Sequence, residues 1–423
     1  MKAPVFQAGY AKADIIPDTE LHLIGNFVLR PRRGKRHRDG LCARALALSD
    51  GEKKIVIVAA DLLCVSEELH LALVERLTEL EEDELLLAAT HTHSSYGGFF
   101  HSPAIASILG APRKEIFDFL VERLADVARR ALDDQAPAKA QFGSATVPGM
   151  VTSRRQADGP VDDRLSLLRL ERQGRSPIEV VNASGHPVMV CEREANTVSA
   201  DYPGHMCRLL EKKGSDPLFL SAALGGVSIL FPEFAMDLER HMQLIGGLLL
   251  AGYSAAEQRL EPLAVDQDKP VLQVDFFRLA HRDHASHVFS AMGKPGRLAD
   301  ALAYPLLRWL ANSMRDALPF ANGVPLHLVA VGDFCLLGSA NELGPTVVKA
   351  LREEFSRAGY KGTLVAWLAN GYAGYLHMPP VYRCFPERGY RFLALYENSL
   401  AMFGQDFGQK IVAGVAEKLA KKV

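Results

Sequence analysis

The chain has 423 residues, which is enough for one large domain or two smaller ones. Hydrophobic residues make up 48% of the sequence and charged residues 23%, a globular composition that supports a sizeable buried core. The formal net charge of −2 argues against a nucleic-acid partner, because such a surface needs an excess of basic residues.

The sequence shows no sign of a disulfide framework, a membrane anchor or a secretion signal. Its six cysteines are scattered and form no C-x-x-C pair. Residues 1–7 lack the apolar region of a signal peptide, and the most apolar helical stretch, residues 244–253, is too short to span a bilayer. We therefore expect a soluble, cytoplasmic protein without a transmembrane segment.

Strand-like and helix-like segments alternate along the chain. Residues 55–62 and 84–90 are continuous apolar runs, which predict strands buried on both faces. A helix is predicted over residues 66–80, with Ser66 as its N-cap, and the periodicity of residues 113–134 predicts a long amphipathic helix. Further strands are predicted at residues 140–147, 165–171, 178–183, 218–223, 271–279, 326–338 and 363–368, and further helices at 202–212, 236–261, 297–317, 345–358 and from 405 onward.

This alternation predicts an α/β fold of layered mixed β-sheets flanked by helices. No linker rich in Pro, Gly or Ser divides the chain, so we expect a single catalytic domain over residues 1–423. Residues 281–322 are mostly helical in pattern and form a candidate subdomain or flap.

Two histidines, His91 and His93, follow the predicted strand that ends at residue 90. Residues i and i+2 at a strand end point the same way, so both imidazoles can share one metal ion, or one can bind metal while the other handles protons. The alternative is a pair of polar residues in a capping turn, because His-x-His is a short pattern.

Three other strand ends also present groups that can bind metal or form hydrogen bonds. His186 lies in the segment 182–187 (NASGHP), Glu342 in 338–342 (GSANE) and Tyr375 in 370–375 (NGYAGY). Each motif alone is weak, since a lone loop histidine is usually structural and a glutamate often begins a helix. Together they are more informative, because α/β folds place their active sites in such loops.

These segments, taken in order, resemble the neutral/alkaline (non-lysosomal) ceramidase family over its N-terminal catalytic domain. The likeness extends over nearly the whole chain, and residues 90–94 (THTHS) are its most specific match. The larger members carry a C-terminal immunoglobulin-like domain, which we expect this bacterial-type chain to lack. Other matching segments are residues 8–17 (AGYAKADIIP), 41–46 (LCARAL), 59–62 (AADL), 182–187 and 199–204 (SADYPG).

The resemblance implies one Zn²⁺ ion per chain and a set of residues around it. The family's zinc ligands match His91, His186, Glu342 and Tyr375, and His93 matches a histidine beside the zinc-bound water. Zinc lowers the pKa of such water to about 7, and a neighbouring histidine can accept its proton. The implied substrate contacts are Arg154, with Arg155 as the alternative, a tyrosine that is either Tyr396 or Tyr390, and Ser228.

Several positions depart from the family pattern. The family's Gly-Asp-Val-Ser/Asn-Pro loop reads GGVSI at residues 225–229, so Gly226 stands in place of the acidic residue and Ile229 in place of the proline. Ser95 and Tyr96 follow Ser94 where Gly-Pro is usual. These departures bear on the substrate more than on the zinc ligands.

The leading hypothesis is a zinc-dependent amidohydrolase that cleaves a linear N-acyl amide, which is either ceramide-like and lipid-like or a smaller molecule. A second hypothesis keeps the zinc but places an ester or lactone in the site. A third is a non-catalytic, ceramidase-like binding protein, favoured only by the missing acid at Gly226.

The basic run over residues 30–38 (RPRRGKRHR) has two interpretations. The simpler is a solvated loop. The alternative is an anion-binding rim in which Arg32 and Arg33 recognise a carboxylate or phosphate on the substrate.

Overall fold

The computed structural model describes residues 6–25, 32–101, 109–231, 236–264, 271–280, 322–383 and 403–421, together with positions 305, 320, 394, 396–398, 400 and 401. Its largest element is a nine-stranded mixed sheet. From one edge to the other, the strands are β13 (Asp216–Ser221), β11 (Ile178–Ala183), β10 (Arg164–Arg172), β8 (Ala136–Thr146), β1 (Gln7–Asp14), β5 (Cys42–Ser49), β6 (Lys54–Ala60) and β7 (Leu85–Ala89), with β15 (Glu261–Pro262) beside β8.

A second sheet has four strands in the order β16 (Leu272–Leu279), β17 (Val324–Val331), β18 (Phe334–Ser339) and β20 (Gly362–Trp367). Short two-stranded pairs complete the strand structure of the described residues. They join β2 (His22–Leu23) to β3 (Arg32–Arg33), β4 (Arg36–His37) to β12 (Thr197–Val198), β9 (Val151–Ser153) to β14 (Val227–Ile229), and β19 (Glu342–Leu343) to β21 (Tyr375–Leu376).

The described helices are α1 (Glu67–Arg76), α2 (Lys114–Asp133), α3 (Met189–Arg193), α4 (Asp201–Glu211), α5 (Leu238–Glu257), α6 (Pro345–Arg357), α7 (Pro379–Arg383) and α8 (Phe407–Ala420), with a short 3-10 helix at Glu82–Glu84. Ser66 caps α1, as predicted, by accepting a hydrogen bond of 3.0 Å from the Leu69 backbone N–H. No helix in the described part of the chain is long and apolar enough to cross a membrane.

The two sheets pack face to face, with helices on their outer faces. On β6, Val56 and Val58 belong to the core shared with the helices, whereas Ile55 and Ile57 belong to the core between the sheets. Strands β17, β18 and β20 alternate in the same way, since successive side chains of a strand point to opposite faces. Helices α2, α4 and α5 cover the large sheet, and α6 and α8 pack against the four-stranded sheet.

The predicted elements differ from the observed ones mainly at turns. Residues 326–338 were predicted as one strand but form the hairpin of β17 and β18, which turns at Gly332 and Asp333. Gly332 has a φ of +56°, and the apolar run on both sides of the turn concealed it. The helix predicted over 236–261 ends at Glu257, before β15. The helix predicted over 297–317 and the candidate flap over 281–322 lie almost wholly outside the described residues, and the single-domain organisation remains a prediction.

The carboxyl ends of three parallel strand pairs, β6–β7, β11–β13 and β18–β20, meet at one edge of the two sheets. The sheets are joined there, because Ala88 forms a bridge with Ala369 and the Asn370 backbone N–H donates to the Leu87 carbonyl at 2.8 Å. The loops that leave this edge therefore come from both sheets and lie close together.

Candidate metal centre

Four side chains from four loops converge on one buried point at this edge. His91 follows β7 and His186 follows β11, while Glu342 and Tyr375 are register partners in the parallel pair β19–β21. Glu342 Oε2 lies 3.4 Å from His91 Nε2 and 3.2 Å from His186 Nε2. The Tyr375 hydroxyl lies 3.2 Å from His186 Nε2. All four are buried, so the structure brings together the four residues that the sequence suggested as ligands.

Backbone carbonyls orient both imidazoles. His91 Nδ1 lies 2.6 Å from the Leu63 carbonyl oxygen, and His186 Nδ1 lies 2.9 Å from the Val227 carbonyl oxygen. A carbonyl only accepts hydrogen bonds, so each Nδ1 carries a hydrogen and each Nε2 faces the centre of the cluster, where it can offer a lone pair to a cation. This second contact on the far ring nitrogen is typical of metal-binding histidines.

Glu342 carries a negative charge in this arrangement, and one of its carboxylate oxygens accepts no hydrogen bond from the described residues. Burial acts to raise the pKa of Glu342, but the facing histidines, His91 first, hold it well below its usual range, so the group is a carboxylate. Burial and then Arg154 lower the pKa of His186 to about 4, so this ring is neutral at neutral pH and does not balance the carboxylate. Glu342 Oε2 has no hydrogen-bond partner among the described residues. Acceptors that face one another in a buried site fit a cation at their centre.

The spacing of the donor atoms also fits a metal ion. Nitrogen and oxygen ligands of a tetrahedral zinc ion, bound at about 2.0–2.2 Å, lie roughly 3.3 Å apart. The contacts of Glu342 Oε2 with the two imidazoles, at 3.2 and 3.4 Å, agree with this value. His93 adds a third imidazole, because the ligand atoms of His91, His93 and His186 all lie within 4.8 Å of one another.

Two tyrosines complete the acidic side of the cluster. Burial and then the Glu342 charge raise the pKa of Tyr375 well above its usual value, and a bound cation would act in the opposite direction by stabilising the phenolate. Tyr372 donates a hydrogen bond of 3.1 Å to Glu342 Oε1, which leaves Oε2 free to face the histidines. Sequence reasoning missed Tyr372, although it stands three residues before Tyr375 in the same segment.

His93 lies beside the cluster without taking part in the Glu342 contacts. Its Nε2 is 3.3 Å from His91 Nε2, and its Nδ1 is buried with no hydrogen-bond partner among the described residues. Burial, together with the His91 and His186 rings, holds the pKa of His93 well below its usual value, so the ring is neutral at neutral pH. The sequence predicted that His91 and His93 lie together because alternate residues of a strand point the same way. In the structure the strand ends at Ala89 and His91 adopts a φ of +70°, so a turn brings the two rings together.

Arg154 follows β9, and its backbone N–H donates to the Gly226 carbonyl at 2.8 Å. Its guanidinium acts electrostatically on Tyr375, His186 and Tyr396, and its Nη1 is buried with no hydrogen-bond partner in the described part of the chain. Arg154 therefore faces the cluster.

Arg155 has a different environment. Its guanidinium donates to Glu397 Oε2 and to Asn398 Oδ1, both at 3.1 Å, and to the Val381 carbonyl at 3.3 Å. These contacts engage both of its terminal nitrogens on the protein itself. The structure therefore separates the two arginines that the sequence left as alternatives.

The remaining predicted contacts are placed in part. Tyr396 packs edge to face on Tyr375, with ring centroids 6.1 Å apart. Ser228 lies on β14, where it forms a parallel bridge with His186 and is half-buried. Tyr390 lies outside the described residues.

Arg32, in the basic run, is neither solvated nor available to an anion. Its side chain is buried and donates to the carbonyls of Ala195 at 2.6 Å, Ile24 at 3.2 Å and His93 at 3.1 Å. Arg33 is exposed and pairs with Glu20 at 2.7 Å. Both interpretations of this run were therefore wrong for Arg32, which instead supports the backbone of the loop that carries His93.

These features define an α/β protein with a buried candidate metal centre at the carboxyl ends of its parallel strands. Residues 6–221 match the family described as neutral/alkaline non-lysosomal ceramidase, N-terminal. The match covers 216 of the 423 residues, so the chain belongs to this family, and the resemblance seen in the sequence is confirmed.

Individual relatives agree with this assignment. A neutral ceramidase from Pseudomonas aeruginosa is 30% identical over 148 residues, which cover 33% of this chain and 22% of that protein. The crystal structure of neutral ceramidase from Pseudomonas aeruginosa matches with a TM-score of 0.75 at 20% identity, over 99% of this chain and 75% of that one. A ceramidase complexed with C2 matches with a TM-score of 0.76 at 18% identity, over 99% and 76% of the two chains. These likenesses confirm the predicted fold class.

Proposed function

We propose that the chain is a zinc-dependent hydrolase that cleaves a linear N-acyl amide, either ceramide-like or smaller, with an activated water molecule. The observation that carries this proposal is the set of buried acceptors at the metal centre. Glu342 Oε2 lies 3.4 Å from His91 Nε2 and 3.2 Å from His186 Nε2. Glu342 is charged and His186 is neutral, so the His186 ring does not balance the carboxylate charge. Membership of the ceramidase family supports amide hydrolysis as the reaction.

In this proposal His91, His186, Glu342 and Tyr375 hold one Zn²⁺ ion. A mixed set of nitrogen and oxygen donors suits zinc, which has no strong geometric preference of its own. When bound, zinc supplies Lewis-acid polarisation of the substrate carbonyl and makes a hydroxide nucleophile available at neutral pH.

His93 is the proposed proton carrier. It is neutral at neutral pH, because burial keeps its pKa well below the usual value. Its unprotonated ring lies beside the proposed ligand His91, where it can accept a proton from the attacking water and deliver it to the departing amine nitrogen as the carbon–nitrogen bond breaks. General acid–base help of this kind contributes about 10²–10⁴-fold in rate.

Arg154 is the proposed donor to the substrate oxygen. Its Nη1 is buried and without a partner among the described residues, so it is available to a carbonyl oxygen that becomes negative in the transition state. Removal of one such donor commonly costs about 3–4 kcal/mol of transition-state stabilisation. Tyr396 and Ser228, which lie beside Tyr375 and His186, are proposed to help place the scissile amide.

The proposal is tested by measuring zinc content together with turnover of N-acyl amides and of esters with the same acyl and leaving groups. We expect one zinc ion per chain and faster cleavage of the amides. His91→Ala should lose both zinc and activity, because a ligand is removed. His93→Ala should keep its zinc and lose turnover by at least about 100-fold. His22→Ala is the control, because this histidine is exposed on β2.

Different failures lead to different conclusions. Full zinc content and full turnover in His91→Ala would refute the ligand assignment. Faster cleavage of the esters would contradict the proposed amide substrate and favour an ester or a lactone. Purified protein that binds no zinc and cleaves neither class would favour the non-catalytic binding protein.

A further inference from the structure

A carboxylate that the proposed reaction does not use, Glu397, lies directly behind Arg154. Its side chain is completely buried. Glu397 Oε1 accepts from the Gly226 backbone N–H at 3.1 Å and lies 3.6 Å from Arg154 Nε. Oε2 accepts from Arg155 Nη1 at 3.1 Å and lies 3.3 Å from His377 Nε2. Two hydrogen bonds and two ionic contacts, from three separate segments of the chain, therefore meet on one carboxylate.

The charge of this group is secured by its neighbours. Burial acts to raise the pKa of Glu397, but His377, Arg154 and Arg155 lower it to about 2. An isolated buried carboxylate would be strongly unfavourable, and the two guanidinium groups offset part of that cost. Glu397 is therefore negatively charged at neutral pH.

Arg154 and Arg155 contact the Glu397 carboxylate in different ways. Arg155 is fully engaged by Glu397, Asn398 and the Val381 carbonyl. Arg154 forms an ion pair with Glu397 through Nε at 3.6 Å, while its Nη1 has no hydrogen-bond partner among the described residues. One end of the Arg154 guanidinium therefore pairs with Glu397, while Nη1 at the other end is unpaired among the described residues, and the group acts electrostatically on Tyr375 and His186.

Local packing keeps the carboxylate in this place. Gly226 has a φ of +75°, and a Cβ there would lie 3.0 Å from His377 Cε1 and 3.4 Å from Arg155 Cδ. The glycine thus leaves room for His377 and Arg155 while its N–H binds Glu397. The acid that the family pattern places at this position is absent, but a carboxylate from elsewhere in the chain lies beside it.

We propose that Glu397 is a positioning residue, which anchors Arg154 at Nε so that Nη1 is presented to the oxygen of the scissile carbonyl. A free arginine side chain has about 2 kcal/mol of rotamer entropy, and an anchor removes most of that freedom before the substrate binds. This inference rests on the proposed function, since it assigns a role within the same reaction.

A double-mutant cycle tests the proposal. Glu397→Gln keeps the shape of the side chain and removes its charge, and Arg154→Met removes the partner. We expect Glu397→Gln to lower kcat/KM about 10- to 100-fold, mainly through kcat, with zinc content unchanged. In the Arg154→Met background the same change should cost less than about 2-fold, because the residue through which it acts is gone. Equal losses in both backgrounds would overturn the proposal.

A parallel cycle with Arg155→Met separates positioning from a merely structural role. If Glu397 only neutralised Arg155, its substitution would be non-additive with Arg155→Met and additive with Arg154→Met. That pattern contradicts the proposal. Glu397→Asp, which keeps the charge, should retain more activity than Glu397→Gln and serves in the same cycles if Glu397→Gln does not fold.

Crystal structures of the wild type and Glu397→Gln provide a readout that needs no activity. We expect Arg154 to be ordered in the wild type, with Nε beside Glu397, and displaced or disordered in the variant. An unchanged Arg154 side chain in the variant would refute the anchor even if the protein is an active hydrolase. A displaced Arg154 in a protein that cleaves no amide would support the anchor and refute the proposed reaction instead.

Discussion

The two sides of the candidate metal centre are held in place by different interactions. On the histidine side, backbone carbonyls of Leu63 and Val227 orient His91 and His186. On the other side, side chains hold side chains: Tyr372 donates to Glu342, and Glu397 lies against Arg154. The first side depends on the path of the backbone at the strand ends, and the second depends on the chemistry of neighbouring residues. Substitutions on the second side should therefore alter the site without disturbing the fold.

Glu342→Gln is expected to give the largest effect. The change removes the only carboxylate among the four proposed ligands, so zinc affinity should fall by more than about 100-fold, the upper end of what loss of an outer-shell partner costs. Thermal unfolding after chelation, with and without added zinc, measures this. Zinc at 100 times the wild-type Kd should stabilise the wild type by about 2.7 kcal/mol and the variant by less than about 0.4 kcal/mol.

Glu417→Gln is the matched control, because Glu417 is exposed on α8 and pairs only with Lys421 among the described residues. It should respond to zinc like the wild type. A zinc response in Glu342→Gln equal to that of the control would show that Glu342 belongs to a structural ion pair and not to a metal centre.

The next largest effect is expected at Arg32, which supports the histidine side through the His93 carbonyl. Arg32→Met leaves buried carbonyls without a donor and should cost about 2–3 kcal/mol of unfolding free energy in the zinc-free protein. Arg33→Met should change the stability by less than about 0.5 kcal/mol, since its pair with Glu20 is exposed. Urea unfolding of both variants makes the comparison, and equal stabilities would contradict the buried position of Arg32.

The fold was largely predictable because its strands carry the pattern that packing requires. Continuous apolar runs such as residues 55–62 predicted strands buried on both faces, and β6 lies between the helices and the second sheet. Turns inside apolar runs were not predictable in this way, since Gly332 and Asp333 are a weak signal within residues 326–338. The interaction between the two sheets depends on contacts far apart in sequence, so local patterns carried no information about it.

The candidate metal centre was more predictable than the groups that support it. Four strand-end segments and the family resemblance were enough to select His91, His186, Glu342 and Tyr375, which the structure brings together. The supporting groups were missed because they have no local signature. Glu397 is 243 positions from Arg154 and meets it only in the folded chain. Arg32 was misread because a run of basic residues suggests solvent, whereas its acceptors are carbonyls that no sequence pattern reveals.

Tyr372→Phe should give the smallest effect and sharpens the comparison between the two sides. The variant removes only the hydroxyl that donates to Glu342 Oε1 at 3.1 Å, so the carboxylate keeps its charge but loses the group that orients it. Loss of an outer-shell partner typically lowers metal affinity about 10- to 100-fold, and we expect about 10-fold here because Tyr375 still flanks the carboxylate in the β19–β21 pair. Zinc titration against a competing chelator measures the change.

Tyr360→Phe is the matched control. Tyr360 packs on Phe355 and precedes the first residue of β20, whereas Tyr375 lies on β21, beyond the other end of β20. Unchanged zinc affinity in Tyr372→Phe would mean that Glu342 is positioned by the backbone, as the histidines are, and the distinction between the two sides would no longer hold.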